Sequence, residues 1–423
     1  MLMKEQSDKF PRMVKLTQQL YSAPLGDAGI VAAVEREFQK LALSGKIGPG
    51  KTVALGAGSR GVASINLIIK TLVAQVKALG AEAFVFPAMG SHGGGTDEGQ
   101  KEVLGTLGIT EEYIGCPIKS SLAVVELGQS ASGIPVYLDK NASQADAIII
   151  TNRVKAHTNF RGHVESGLFK MLAIGTGKHT QAMAIHKYGT KGLRDYMPEV
   201  ARTIIQRAPV VAGFAVLEDG YHQASRIVGI LAAEIEPIEE RLLEESKRVM
   251  PKLPVKDLDL LIIEKIGKNI SGSGMDTNVV GRVRLVDYDK FPEPEIKIVI
   301  ALDLTDETHG NATGMGLADL ITRRLADKID YRSTYINCLT GQGPLQASMP
   351  IPLDSDREAI RIALDYLVGP VSPEEARVIR IRDTLSMAEI EVSEALQREL
   401  QGRDGFSFAE LKDMQFDSAG TLI

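Results

Sequence analysis

Residues 52–80 have the sequence TVALGAGSRGVASINLIIKTLVAQVKALG, in which an apolar strand, a glycine-rich turn and a helix follow one another directly. The turn, Gly56–Gly61, has the spacing G-x-G-x-x-G, which lets the backbone and a helix N-terminus approach an anion. Arg60 adds a fixed positive charge that suits a phosphate or a carboxylate. This order of elements predicts an α/β fold in which ligands bind at the carboxyl ends of the strands.

The glycine turn also raises the alternative of an NAD-dependent dehydrogenase. Such a fold uses an acidic residue at the end of the next strand to hold the ribose. Here the next strand, AEAFVF, continues into PAMGSH at residues 87–92, so the acid is missing and NAD is disfavoured. A second nucleotide motif, GKIGPGKT at residues 45–52, precedes a strand instead of following one, so we do not interpret it as a phosphate loop.

Two further predicted strands end in loops that carry a histidine. His92 follows AEAFVF in the loop GSHGGGTDEG, where Thr96 is expected to cap the next helix. His157 follows the buried strand DAIIITN, residues 146–152. Because ligands bind where the strands of an open α/β sheet end, we expect Arg60, His92 and His157 to line one pocket.

Residues 157–186 concentrate side chains that bind metals and transfer protons. Four of the seven histidines lie in this segment, together with two lysines: His157, His163, His179, His186, Lys170 and Lys178. Imidazole ligates transition metals and exchanges protons near neutral pH, so the segment predicts a site. Lys170 has apolar neighbours on both sides. Either its stem covers apolar surface, or its amine is committed to a ligand or a covalent bond.

The bulk properties narrow the class of protein. The chain has 423 residues, of which 44% are hydrophobic and 24% charged, as in ordinary globular proteins of two or three domains. A net charge of −6 without a basic block argues against nucleic acid as a partner. The two cysteines, Cys116 and Cys338, fit a reduced, cytoplasmic protein. We find neither a signal-peptide core nor an apolar run of membrane length, and expect no membrane association.

The linker PKLPVKD, which begins at Pro251, marks the predicted domain boundary. Residues 1–252 are predicted to form an N-terminal α/β domain that carries the cofactor-binding and histidine loops. Residues 253–395 are predicted to form a C-terminal α/β domain that closes the cleft, because strand, polar loop and helix recur there. Residues 396–423 are predicted to be a helical tail that packs back on the first domain. The expected architecture is two Rossmann-like α/β domains with an active-site cleft between them.

This set of residues resembles the lactate racemase family, whose members use a nickel-pincer nucleotide. The most specific signature is Lys170 followed sixteen residues later by His186. By this resemblance, Lys170 is the covalent tether and His186 the nickel ligand. His92 and His157 match the two acid/base histidines, and Arg60 matches the substrate-binding arginine. The turn residues Gly58, Ser59 and Gly61 are assigned to the cofactor, and Lys268 and Arg282 are nominated as substrate-binding residues of the second domain.

The resemblance implies an isomerase that racemises or epimerises a 2-hydroxy acid. The implied cofactor is pyridinium-3,5-bisthiocarboxylic acid mononucleotide nickel, made by separate cofactor-synthesis enzymes that are therefore expected partners. It would accept the substrate hydride and return it to the opposite face, with a histidine base on each face.

The chain also departs from the family pattern. The spacing from His157 to Lys170 is longer than expected, so His163 is an alternative base. The first-domain loop reads GSHGG where a racemase-like chain reads GTHRP. The substrate is therefore open between lactate-like acids and sugar acids. A non-catalytic homologue that binds a nucleotide or metal is a further alternative.

Overall fold

The structure is a computed structural model that describes residues 9–59, 61–90, 92–286, 291 and 293–423. Two units make up the chain. Tyr21–Met250 is called the N-terminal unit, and Pro251–Ile423 together with the residues up to Leu20 is called the C-terminal unit. The boundary between the units lies between Met250 and Pro251, and residues 9–20 belong to the C-terminal unit, whereas the sequence predicts them in the N-terminal domain.

The strands and α-helices alternate along most of the chain. The strands are β1 Arg12–Gln18, β2 Thr52–Ala57, β3 Glu82–Pro87, β4 Val124–Gln129, β5 Pro135–Asp139, β6 Ala147–Arg153, β7 Val210–Glu218, β8 Ala224–Leu231, β9 Asp257–Ile266, β10 Glu295–Leu304, β11 Leu320–Thr322, β12 Ile351–Leu353, β13 Val378–Ile381, β14 Glu389–Ser393, β15 Phe406–Phe408 and β16 Lys412–Asp413. The helices are α1 Gly26–Lys40, α2 Ile65–Ala78, α3 Asp97–Thr106, α4 Glu111–Ile114, α5 Lys140–Ser143, α6 Leu168–Lys170, α7 Lys178–His186, α8 Gly189–Lys191, α9 Met197–Arg207, α10 Ile235–Val249, α11 Thr277–Val280, α12 Arg323–Ala326, α13 Tyr331–Thr340, α14 Asp356–Ile362 and α15 Glu394–Leu400.

The N-terminal unit is built on a sheet with the strand order β3-β2-β6-β7-β8. Its first four strands are parallel, and β8 returns antiparallel to β7. The sheet has an apolar core on each face, because alternate residues of β2 and β6 point to opposite sides. Helices α1 and α2 cover one face, and α6, α7, α9 and α10 cover the other. This is the predicted α/β fold, with the carboxyl ends of β3, β2 and β6 at one edge.

The C-terminal unit contains a larger mixed sheet. Strands β12, β11, β10, β9 and β13 are parallel in that order, and β14, β1 and β15 extend the sheet in antiparallel fashion. The apolar residues Leu260–Ile263 of β9 are fully buried, as a central parallel strand requires. Two α/β units with parallel-rich sheets are thus confirmed, whereas the cleft between them stays a prediction.

The end of the chain differs from the predicted helical tail. Helix α15 ends at Leu400, and the following β15 and β16 pair with β1. The tail therefore belongs to the C-terminal unit and not to the first domain. None of the helices in the described part of the chain combines the length and the apolar character needed to cross a membrane.

Candidate active site

The loops after β2 and β3 meet at the edge of the N-terminal sheet. Ala57 is in register with Pro87, so the two strands end side by side. The Ser59 hydroxyl consequently contacts Nδ1 of His92, which fixes one side of the imidazole ring. Arg60, the predicted carboxylate-binding residue, lies outside the described residues. The structure therefore places two of the predicted loops together and gives His92 a hydroxyl partner.

The glycines after His92 serve the next helix. Gly93 has a φ of +64°, and a Cβ on it would lie 2.4 Å from the carbonyl carbon of Gly99 in α3. Thr96 caps α3 as predicted, since its hydroxyl accepts the Gly99 amide at 3.0 Å. Glycine residues let the backbone of a loop pass close to a neighbouring segment. In the structure that neighbour is the first turn of α3.

His157 lies on a closed loop after β6. The loop ends are joined because the amide of Lys155 donates to the Ser166 carbonyl at 2.8 Å, and the reverse bond is 3.2 Å. Within the loop, the buried Glu165 carboxylate accepts the His157 amide at 2.7 Å. The Arg161 guanidinium donates to the His157 carbonyl at 2.8 Å. These bonds fix the backbone on both sides of the histidine ring.

The ring of His157 faces Lys170. Nδ1 accepts the backbone N–H of Asn159 at 3.0 Å, so the exchangeable proton of the neutral ring is carried by Nε2. Nε2 lies 2.8 Å from the Lys170 amine. The structure thus brings together the predicted tether and one predicted acid/base residue, at the ring atom that exchanges a proton.

Lys170 and His186 lie on consecutive helical segments. Lys170 ends α6, a π-helical turn Met171–Gly175 follows, and His186 ends α7. Burial, and then the positive charge of Lys170, lower the pKa of His186 to about 4. The imidazole is therefore neutral at physiological pH, which is the form that ligates a metal. Among the described residues, no group of three or more His, Cys, Asp or Glu side chains is arranged to hold a metal by itself.

Close glycine contacts join these segments to the strand-end loops. A Cβ on Gly58 would lie 2.7 Å from the Met171 side chain, next to Lys170. A Cβ on Gly90 would lie 3.2 Å from Ile174, in the turn that follows Lys170. Both loops therefore pack against the helical segments that carry Lys170 and His186. The G-x-G-x-x-G turn itself does not open a helix, because α2 begins only at Ile65.

A buried ion pair supports the same segments. Lys178, the first residue of α7, is fully buried with its amine 3.0 Å from Asp139. The amine also donates to Gln100, which in turn donates to the Met89 and Gly90 carbonyls before His92. Burial lowers the pKa of Lys178 and raises the pKa of Asp139, while their attraction opposes both shifts. Lys178 thus links the His92 loop to the His186 helix.

His163, the alternative base, has another partner. Its Nε2 lies 2.8 Å from Glu236 of α10. Glu236 also binds Arg202, and this hydrogen bond is the main reason that its pKa is lowered. The structure therefore joins His157, and not His163, to Lys170.

The two nominated residues of the second domain lie in the C-terminal unit. Lys268 donates to the Gly272 carbonyl at 2.8 Å and to Asn337 at 2.6 Å. Arg282 donates from Nη1 to Leu317 and Asp319, and from Nη2 to two carbonyls of β10. All four N–H groups of its terminal nitrogens are therefore engaged within the unit. This makes Arg282 a structural residue, and Lys268 the better substrate-binding nominee.

Sequence reasoning missed Glu239 of α10. This carboxylate is fully buried and accepts the amide of Phe169 at 3.0 Å, immediately before Lys170. Burial raises its pKa to about 7, although the amides of Phe169 and Leu168 lower it. The amphipathic pattern of α10 contains several glutamates, and no local signal distinguishes the one that faces inward.

We expect Glu239 to make stability pH-dependent. Its folded-state pKa of about 7 is above the ordinary 4.5, so the folded protein keeps a proton that the unfolded chain releases. The free energy of unfolding should fall as pH rises through this window, by about 3 kcal/mol. Urea unfolding at about pH 5 and about pH 8 measures this difference. Glu239→Gln should remove that component, whereas the exposed Glu240→Gln should keep it. Equal slopes in wild type and Glu239→Gln would contradict the assignment.

Comparisons with known proteins give a family-model match and two similar solved structures. Residues 19–194 match the family model of the lactate racemase N-terminal domain. The lactate racemase apoprotein from Thermoanaerobacterium thermosaccharolyticum is similar in structure, with a TM-score of 0.50 and 12% identity over 88% of this chain and 94% of that chain. A protein from Thermotoga maritima matches with a TM-score of 0.45 and 15% identity over 67% and 72% of the two chains. No curated protein matches the sequence.

Proposed function

We propose that this chain, whose residues 19–194 match the lactate racemase N-terminal domain, racemises or epimerises a 2-hydroxy acid with a nickel-pincer nucleotide. The family supports a racemase-type role in general, and the substrate and cofactor are our proposal. The observation that carries it is the 2.8 Å contact between the Lys170 amine and Nε2 of His157. A primary amine, a proton-exchanging ring nitrogen and the neutral His186 are the groups that this chemistry requires.

The donor set fits the proposed cofactor. A primary amine can form a covalent bond to a thiocarbonyl carbon, and Lys170 is only partly exposed. One neutral imidazole suits nickel when the other donors are supplied by the cofactor itself. The lack of an all-protein metal cluster among the described residues is therefore compatible with the proposal. Lys170 would hold the nucleotide, and His186 would hold its nickel.

The chemistry that the cofactor supplies when bound is the reversible acceptance of a hydride. The side chains of the chain handle the proton. The imidazole of His157 exchanges a proton with the hydroxyl oxygen of the substrate as the hydride leaves or returns. His92, held by Ser59 at Nδ1, does the same on the other face of the substrate. Inversion requires both histidines, because the hydroxyl groups of the substrate and of the inverted product point in opposite directions.

The nickel content of the purified protein tests the cofactor. The chain is expressed together with the cofactor-making enzymes, and nickel is measured beside the intact mass. We expect wild type to carry both nickel and the added mass. His186→Ala should lose nickel and keep the covalent mass, because only the metal ligand is removed. The exposed His179→Ala is the control and should keep both. Nickel retained at the wild-type level in His186→Ala would refute the ligand assignment.

A further inference from the structure

Helix α10 contacts both segments that carry the Lys170–His157 pair. Glu239 and Lys247 are two helical turns apart, so their side chains point to the same face of the helix. Leu243, which lies between them, is buried against the core. The neighbouring positions Glu240 and Glu244 are exposed. Two ionisable side chains are thus turned inward on one helix, and each has a specific partner.

Glu239 holds the peptide that leads to Lys170. Its carboxylate accepts the Phe169 amide at 3.0 Å. From the other side, the side-chain amide of Asn152 donates to the Gly167 carbonyl at 2.9 Å. A Cβ on Gly167 would lie 2.3 Å from the Glu239 carboxylate, so only glycine permits this approach.

Lys247 holds the loop of His157 through another carboxylate. Its amine lies 3.0 Å from Oε1 of Glu165, which is buried. The other oxygen, Oε2, accepts the His157 amide at 2.7 Å. A buried carboxylate is stable only when charges and donors compensate it, and Lys247 supplies such a charge together with Arg161, which lies 3.6 Å from Oε2. The position of the His157 backbone therefore depends on a residue of α10.

We propose that α10 positions the Lys170–His157 pair, with Glu239 fixing the lysine segment and Lys247, through Glu165, fixing the histidine loop. These are positioning residues, since neither touches the substrate or the cofactor. The distance between the two functional nitrogens is set by the Glu239 carboxylate of α10 and by the Glu165 carboxylate that α10 holds through Lys247. The consequence for catalysis rests on the proposed function, but the positioning itself does not.

The test compares Glu239→Leu with Glu240→Leu in the full chain. The two substitutions are chemically identical and one residue apart, but only the first reaches the Lys170 segment. Leucine has no acceptor oxygen, so the bond to the Phe169 amide is lost. We expect hydrogen exchange in that peptide to accelerate about tenfold in Glu239→Leu and to stay unchanged in Glu240→Leu.

Reactivity of the Lys170 amine separates positioning from general stability. Competitive labelling with acetic anhydride, followed by peptide mass spectrometry, gives the rate at Lys170 relative to the exposed Lys191. We expect this ratio to change about fivefold or more in Glu239→Leu. It should keep the wild-type value in Glu240→Leu. Equal ratios in both variants would overturn the proposal, whatever their thermal stability.

Substitutions of Lys247 provide an independent test of the proposal. Lys247→Met should accelerate exchange at the His157 loop and leave the Phe169 peptide unchanged, and Lys247→Arg should restore protection because it keeps the charge. Uniform acceleration over the whole unit, or no rescue by arginine, would overturn the proposal. Neither readout needs a cofactor. A wild-type chain that gains no covalent mass would therefore refute the proposed function alone, while these measurements still decide the role of α10.

Discussion

Lys170→Ala is expected to yield a protein that never gains the mass of a bound cofactor and has no measurable racemase activity. The reason is chemical, since alanine has no amine to form the covalent bond. Lys170→Arg should fail in the same way, because a guanidinium keeps the positive charge but is a poor nucleophile. Intact-protein mass spectrometry after expression with the cofactor-making enzymes measures the adduct directly.

The control for this experiment is Lys191→Ala, an exposed lysine of the same unit. It should gain the same mass as wild type. An adduct of unchanged mass in Lys170→Ala would show that another nucleophile forms the bond. The covalent part of the proposed function would then be wrong.

The second large effect is expected at His157. His157→Ala should slow racemisation by about 10²–10⁴-fold, the usual contribution of a positioned general base. His163→Ala should stay within a few-fold of wild type, because Nε2 of His163 is held by Glu236. His92→Ala should resemble His157→Ala, because the reaction needs a base on each face. Chiral chromatography of a panel of 2-hydroxy acids measures the rates.

The amount of bound cofactor and nickel has to be measured in the same protein preparations. A His157 variant that carries full cofactor mass and nickel but does not turn over has lost proton transfer and not assembly. A large loss in His163→Ala with normal rates in His157→Ala would exchange the two assignments. Near-normal rates in both His92→Ala and His157→Ala would remove the two-base scheme.

The sequence predicted the part of the site that depends on strand ends. Residues 52–57 and 146–152 are short apolar runs followed by glycine or polar residues, and both are strands in the parallel sheet. Their neighbouring carboxyl ends place Ser59 beside His92 and put His157 on the same edge. These positions could be predicted because the ligands of an open parallel sheet bind at the carboxyl ends of its strands.

The remaining contacts depend on tertiary structure and have no local signal. Glu165, Glu239 and Lys247 read as ordinary charged residues of a loop and an amphipathic helix. Their burial is decided by which helix packs against the sheet. The segment LADLITRRLADKID, residues 317–330, has the local pattern of a single helix, yet Leu320–Thr322 form a strand before a short helix begins. These three buried residues pair with β10, which a local periodicity does not reveal.

Strand β1 pairs with strands that lie far away in the sequence. Met13 pairs with Ser393 and Leu16 pairs with Phe408, so β1 must wait for residues that are synthesised much later. The N-terminal unit is one continuous segment and can fold while synthesis continues. The mixed sheet of the C-terminal unit closes only once β14 and β15 have been made, and without β1 it would leave β14 with an unpaired edge available for aggregation.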